Sequence, residues 1–358
     1  MKNFDSILLT PEDYQIDKDK ILNVVNNRAY NKKIISYYRE YFKNPDRKIL
    51  LSPHKVENMD RCNKYFTTDT YNVEMIKEIK STNLCKDKFC NNCKKVKQAA
   101  RMSRYIKFIE PYKDSCYHLV LTVPSVPGER LENMLDVMND SFRRLIRFLE
   151  GSKRIKGIDL KKYGYFGAIR SLEISFKKDL YHPHYHVLLC LKSRGEEVRD
   201  IENVFSYSTS NGYRRFTSLE VLIQKIWYCL FCGMEVTKSN LDSLDHGFSC
   251  TLDKFEDNDY IELFKYLTKD FDDSSNILAY DNFKAILEST YKRKQIQGYG
   301  YFYRIIDEKL DEELKKDYIE VINFLKELET PVSRSETPRD LLDSPYTLIS
   351  RKSIMKFM

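Results

Sequence analysis

Apolar positions along this chain follow two periods, and the periods mark its elements. Leu131, Met134, Leu135, Met138, Phe142, Leu145 and Leu149 recur at helical spacing, which predicts an amphipathic helix over Glu129 to Glu150. Cys116 to Val123 (CYHLVLTV) reads as a buried strand, closed by Pro124 and the turn-forming pair Pro127-Gly128. Tyr165 to Phe176 reads as another strand. In its second half Leu172, Ile174 and Phe176 alternate with the polar Ser171, Glu173 and Ser175. A further strand, His184 to Leu191, sets Tyr185, Val187 and Leu189 on one face and His184 and His186 on the other. The short Lys177 to Pro183 link makes these two an antiparallel hairpin, with Pro183, which has no N–H to donate, at the first position of the second strand.

The same reading predicts helices over Lys94 to Phe108, Ser218 to Leu230, Asn258 to Lys269 and Asn282 to Lys292, and a strand near Gly298 to Ile305. Interleaved strands and helices predict an α/β or α+β domain around a mainly antiparallel sheet. Residues 1–60 are polar and poorly periodic, with helical character from Ile21 to Phe42, and read as an N-terminal appendage. Residues 61–97 concentrate the cysteines, 98–305 hold the main domain, and 306–358 read as an acidic helix and a Ser/Thr/Pro-bearing tail.

Composition narrows the functional classes. With 42% hydrophobic and 32% charged residues in 358, the chain has material for real cores, which excludes global disorder. The 60 Lys+Arg against 53 Asp+Glu leave a net charge of only +7, so a nucleic-acid surface has to be sought in local patches. No apolar run approaches the roughly 20 residues of a membrane span, and Met1 to Thr10 lacks the order of a signal peptide. A cytoplasmic protein without membrane association is expected, whose nine cysteines are thiols or metal ligands rather than bridges.

Three groups of residues carry candidate chemistry. Cys62, Cys85, Cys90 and Cys93 include the text CKDKFCNNC, a Cys-x4-Cys-x2-Cys spacing in polar surroundings. Four thiolates satisfy a tetrahedral Zn²⁺, and a segment this short needs such a staple. Cys229 and Cys232 repeat the Cys-x2-Cys spacing inside an apolar segment and read as core residues of a helix. In the second group, His184 and His186 point to one side of their strand, and Glu173 falls roughly opposite on the polar face of its neighbour. Two imidazoles and a carboxylate suit an octahedral Mn²⁺ or Mg²⁺ with open positions. His182 continues the parity but precedes Pro183, while His54, His118 and His246 lack such company and read as structural. Third, Glu262, Tyr266 and Lys269 share one face of a predicted helix, so a phenol lies one turn from a carboxylate and a cation. A tyrosine can act as a covalent nucleophile, although among 26 tyrosines an exposed one beside a solvated ion pair is the ordinary reading.

In this order, the cysteines ending in FCNNC, the strand LVLTVPSVPG, the strand GAIRSLEIS, the run YHPHYHVLL, the helix ELFKYLTK and the later YKRKQIQGYG resemble the rolling-circle replication initiators of bacterial plasmids. These are HUH endonucleases with a single catalytic tyrosine. The resemblance spans about Arg61 to Ile305 and implies an α+β fold, a central mainly antiparallel sheet flanked by helices, with an adjoining four-cysteine zinc module. It implies that His184 and His186 bind the divalent metal with Glu173 as third ligand, that Tyr266 is the nucleophile, and that Glu262 activates water at termination. Implied partners are single-stranded DNA, double-stranded origin DNA, a host helicase and a polymerase that extends the freed 3′-hydroxyl. Lys269 would stabilise the phenolate or a phosphate, or remain a solvated helix charge.

DNA contact has its own signal in Lys94, Lys95, Lys97, Arg101, Arg104 and Lys107, a helix without acidic residues that also carries Tyr105 and Phe108 for stacking. Arg143 to Lys156 and Tyr291 to Arg304 form further basic stretches. Two rival readings stand beside the initiator: an HUH transposase or relaxase with the same chemistry, and a non-catalytic zinc-bearing DNA-binding regulator in which the histidines hold no metal.

Overall fold

The structure, a computed structural model, describes residues 18–62, 65–71, 77–82, 84–192, 204–209, 212–245, 247–248, 250–264, 279–304 and 348–356. The chain divides into two compact units, Met1–Arg104 with Asp307–Met358, and Tyr105–Ile306.

The first unit contains α1 (Lys18–Lys43), α2 (His54–Asp60), β1 (Tyr65–Tyr71), β2 (Lys77–Thr82) and most of α3 (Asn91–Ile109). Ile34, Tyr38 and Tyr41 recur at helical spacing on α1 and are fully buried, which explains why a polar segment folds: its one apolar stripe is covered. Strand β1 is the middle of a three-stranded antiparallel sheet, between β2 and a strand at Leu348–Lys356. That C-terminal strand lies in the stretch read as tail. The acidic helix expected ahead of it falls outside the described residues.

The second unit contains β3 (Cys116–Thr122), α4 (Gly128–Leu149), β4 (Tyr165–Lys177), β5 (Leu180–Leu191), β6 (Val204–Thr209), β7 (Gly212–Thr217), α5 (Ser218–Phe231), α6 (Lys238–Asp242), β8 (Cys250–Lys254), α7 (Asp259–Phe264), α8 (Tyr280–Ser289) and β9 (Ile296–Gly300). Its five-stranded sheet has the order β8-β3-β5-β4-β9, every pair antiparallel, so the fold is α+β with helices flanking an antiparallel sheet. β6 and β7 make a separate hairpin.

One face of the sheet, through Tyr185, Val187 and Leu189, builds the core with α4. Leu131, Leu135, Met138, Phe142, Leu145 and Leu149 of α4 are buried as their spacing predicts. The Phe142 ring meets Tyr185 edge-on at 5.6 Å and Tyr299 at 5.2 Å. α5 begins with a capping box in which Thr217 and Glu220 exchange backbone and side-chain hydrogen bonds. Its Trp227 indole N–H donates to the Thr122 carbonyl over 2.8 Å.

Three local expectations are corrected. Strand β5 begins at Leu180, so the hairpin link is only Lys178-Asp179, whose φ values of 50° and 61° suit a tight two-residue turn. Pro183 therefore lies inside the strand, opposite Ile174, and is tolerated because it falls beyond Thr122↔His184, the last pair of the β3 ladder. Strand β9 ends at Gly300, whose φ of +58° turns the chain out of the strand into a 3₁₀ turn, Tyr301–Arg304; glycine stands there because a Cβ would also meet the Phe166 carbonyl at 2.7 Å. Cys229 is buried in α5 as expected, but Cys232 caps the helix and is exposed.

Candidate functional site

The second face of the five-stranded sheet is polar around its central strand. Register pairs Glu173 with His184 and Ser171 with His186, so the alternation of two neighbouring strands delivers a carboxylate and two imidazoles to one spot. Glu173 Oε2 lies 3.2 Å from His184 Nε2 and 2.9 Å from His186 Nε2. Glu173 is only 2% exposed, and its Oε1 has no hydrogen-bond partner among the described residues. Burial works to raise its pKa, but the hydrogen bonds and charges of the two histidines outweigh it and hold the carboxyl well below the usual range.

This donor set fits a divalent cation. At a metal–ligand distance of about 2.1 Å, adjacent corners of an octahedron stand about 3 Å apart, which is the observed spacing. The unpartnered oxygen is a lone-pair site awaiting a positive charge. All three residues offer ligand atoms within 4.8 Å of one another. His182 is outside this group; its backbone carbonyl lies 3.3 Å from His184 Nδ1.

The structure adds two residues. His118, on β3, faces the same side as His186 one diagonal step away, and its Nε2 lies 3.1 Å from His186 Nδ1. Its Nδ1 lies 2.8 Å from Oδ1 of Asp259, the first residue of α7. Burial, the largest influence, lowers the His118 pKa against the pull of Asp259. His118 read as a lone structural histidine because nothing in sequence brings residues 118, 186 and 259 together; the signal available was its parity on a strand beside the histidine strand.

α7 packs against β4 and β5. Phe264 stacks on Tyr105 at 5.2 Å, and the Tyr260 hydroxyl donates to Glu110 over 2.9 Å. Glu262 lies on this helix, half-buried. Tyr266 and Lys269 fall outside the described residues.

In the first unit the four cysteines converge. Cys62 Sγ is 3.6 Å from Sγ of Cys90 and of Cys93, and Cys85 Sγ is 3.5 Å from Cys93 Sγ. Sulfurs bound tetrahedrally at about 2.3 Å stand roughly 3.8 Å apart, so the donor set fits Zn²⁺ in number, kind and spacing. Hydrogen bonds from its thiol neighbours push the Cys85 thiol far up and draw Cys90 down. Cys85 N–H donates to Cys62 Sγ over 3.4 Å, Lys86 N–H to Cys93 Sγ over 3.2 Å, and the Asn31 amide to Cys90 Sγ over 3.1 Å. Asp87 accepts from the Tyr38 hydroxyl and from Lys55 Nζ, the latter over 2.7 Å. α1 and α2, from the stretch read as an appendage, thus brace the cysteines.

The basic helix α3 is not uniformly free. Lys94 is buried, its ammonium 5.4 Å from the centre of the Tyr30 ring, and Lys97 donates to the Lys86 carbonyl over 2.6 Å. Arg101 is half-buried, and Lys107 is exposed. The side chains of Lys95 and Arg104 fall outside the described set. Tyr105 is buried against Phe264 rather than available for stacking, whereas Phe108 is exposed.

Known proteins resemble this chain over the same framework. A family model described as "Replication protein" matches residues 76–195, which include Cys85, Cys90, Cys93, His118, Glu173, His184 and His186. The chain is 29% identical over 147 residues to "Protein rep" of Staphylococcus aureus, covering 39% of this chain and 60% of that protein. It is 31% identical over 116 residues to "Protein rep" of Streptococcus pneumoniae, covering 30% and 33%. To "Protein rep" of Bacillus amyloliquefaciens it is 29% identical over 147 residues, covering 38% and 40%. The matched stretches thus span less than two thirds of each relative. No solved structure matches.

Proposed function

Starting from a chain that belongs, through residues 76–195, to the replication-protein family, we propose that it initiates rolling-circle replication of a plasmid by nicking single-stranded origin DNA with a tyrosine, and rejoins strands at termination. The observation that carries this reading is the buried convergence of Glu173, His184 and His186, with a carboxylate oxygen left unpartnered. A regulator that only binds DNA has no use for such a costly arrangement.

Glu173, His184 and His186 would hold Mn²⁺ or Mg²⁺, which supplies Lewis-acid polarisation of the scissile phosphate and a template for in-line attack. Tyr266 Oη forms the bond to phosphorus while the bond to the 3′-oxygen breaks. The phenol proton leaves to solvent or a nearby base, and the departing oxygen takes up a proton. The products are a 5′-phosphotyrosine and a free 3′-hydroxyl. Because a phosphodiester replaces a phosphodiester, the bond energy is retained and the site can rejoin ends. Glu262, four residues before Tyr266 in the chain, activates water at termination, and Lys269 offers a positive charge to the phenolate or a phosphate.

In the same reading, residues 61–97 form a zinc-binding module and 98–305 the HUH nicking and joining domain, while the stretches read as appendage, 1–60, and as tail, 306–358, contribute α1, α2 and the strand Leu348–Lys356 to the first unit. The basic helix α3 contacts DNA phosphates through its accessible side chains, Lys107 among them, and a host helicase and polymerase act on the nicked origin. No helix among the described residues is long and apolar enough to cross a membrane.

The test is incubation with single-stranded oligonucleotides carrying candidate nick sites from the parent replicon, with Mn²⁺ or with EDTA, followed by a denaturing gel and peptide mass mapping. A metal-dependent covalent adduct on Tyr266, absent in Tyr266→Phe, is the expected result. DNA binding with no adduct on any site would overturn the nickase in favour of the regulator.

A further inference from the structure

We propose that His118 and Asp259 are positioning residues that set the hydrogen of His186 on Nδ1, leaving Nε2 open to the cation, and that through them the start of α7 is tied to the metal site. This rests on the proposed metal role of Glu173, His184 and His186.

A neutral imidazole that ligates through Nε2 must carry its hydrogen on Nδ1, and at a buried site that hydrogen needs an acceptor. For His184 the acceptor is local, the His182 carbonyl 3.3 Å away. For His186 the facing atom is Nε2 of His118, at 3.1 Å, and an imidazole nitrogen can either donate or accept. It accepts only if His118 carries its own hydrogen on Nδ1. The Asp259 carboxylate, 2.8 Å from that Nδ1, can only accept and so demands this tautomer. Asp259 is itself held, since its Oδ2 accepts the Glu256 N–H over 2.8 Å. With the cation on His186 Nε2 in place of its hydrogen bond to Glu173, hydrogens therefore run in one direction, from His186 to His118 to Asp259. The last of these opens the helix that carries Glu262, so the position of that helix and the tautomer of a metal ligand depend on one carboxylate.

The discriminating variant is Asp259→Asn. The amide oxygen still accepts from Glu256, but the amide NH₂ now faces His118, which reverses the hydrogen direction and puts the His186 hydrogen on Nε2. Mn²⁺ affinity, measured by calorimetry on the full chain without DNA, should fall about 10- to 100-fold, the usual cost of losing an outer partner of a ligating histidine. Nitrogen NMR with Mg²⁺ should show the His186 hydrogen on Nδ1 in the unmodified protein and on Nε2 in Asp259→Asn. His118→Leu should lose affinity similarly, whereas His118→Gln, whose amide oxygen reaches toward the place of Nε2, should recover most of it. Unchanged Mn²⁺ affinity or an unchanged His186 tautomer in Asp259→Asn would overturn the proposal; should His118→Leu fail to fold, the tautomer measurement decides. His184→Ala separates the two readings. If it loses Mn²⁺ while Asp259→Asn does not, the relay fails and the metal site stands. If it binds Mn²⁺ as the unmodified protein does, the metal reading and the relay fall together.

Discussion

The cysteine cluster and the histidine–glutamate cluster solve opposite problems. Four sulfurs within 4.8 Å of one another, three of their pairs at 3.5 or 3.6 Å, match the four ligands of a tetrahedral cation and would leave it no free position. Backbone and amide N–H groups donate to the sulfurs from outside, closing the site further. Glu173, His184 and His186 supply three donors to an ion that prefers six, so half the positions remain for water or phosphate oxygen. The supporting groups differ as well. The cysteines lean on nearby backbone N–H groups and, through Asn31, on α1, 59 positions from Cys90, whereas His186 leans on His118, 68 positions away, which in turn leans on Asp259, 141 positions further along the chain from it. On the proposed function, the closed site would serve folding and the open one, on a rigid sheet, chemistry.

The contrast breaks most visibly at Cys90. In Cys90→Ser, metal analysis should find stoichiometric zinc lost, and limited proteolysis should cut the first unit, because structural zinc in small modules contributes on the order of 10 kcal/mol or more to folding. Mn²⁺ binding at the sheet should persist in the same sample; its loss would mean that the two sites are not separable.

The reciprocal experiment is Phe142→Ala. Its ring is fully buried between Tyr185 and Tyr299, beneath the strand that carries the histidines. Removal should destabilise the second unit by about 3–5 kcal/mol in chemical denaturation, while zinc content stays at one per chain. Zinc loss on this substitution would contradict the division into two units.

The smallest effect concerns Glu220, buried in the second unit, where it accepts from the Thr217 and Leu252 N–H groups. Desolvation pushes its pKa up to about 7. The folded state then binds this proton more tightly than the unfolded state, so the contribution is full below the unfolded carboxylate pKa and is lost as pH rises through about 7. Denaturation midpoints of the second unit should decline over that window. Glu220→Gln should flatten the decline, and an unchanged slope would remove Glu220 as its source.

Legibility tracked the range of the forces involved. α4 was readable because seven apolar residues at helical spacing need no knowledge of their partners, and six of them are buried. The facing of Glu173 and His184 was readable because a short link forces antiparallel pairing and strand parity does the rest. The β6–β7 hairpin, β8 and the strand Leu348–Lys356 were not foreseen: they are short or polar, and what makes them strands is a neighbour. Tyr105 looked free for stacking until the fold placed Phe264 against it.

Sequence by itself determined the donor atoms: which cysteines, which histidines and which carboxylate have the type and local spacing to share an ion. Only the tertiary structure decided how those donors are held. It set β3 beside β5 in a register that brings His118 to His186, laid the first turn of α7 where Asp259 meets His118, and braced Cys90 with Asn31 of α1. The physical reason is that ligand type and local spacing are properties of a few consecutive residues. Hydrogen-bond direction at a buried ring depends instead on whatever distant group the packed chain brings to its far side.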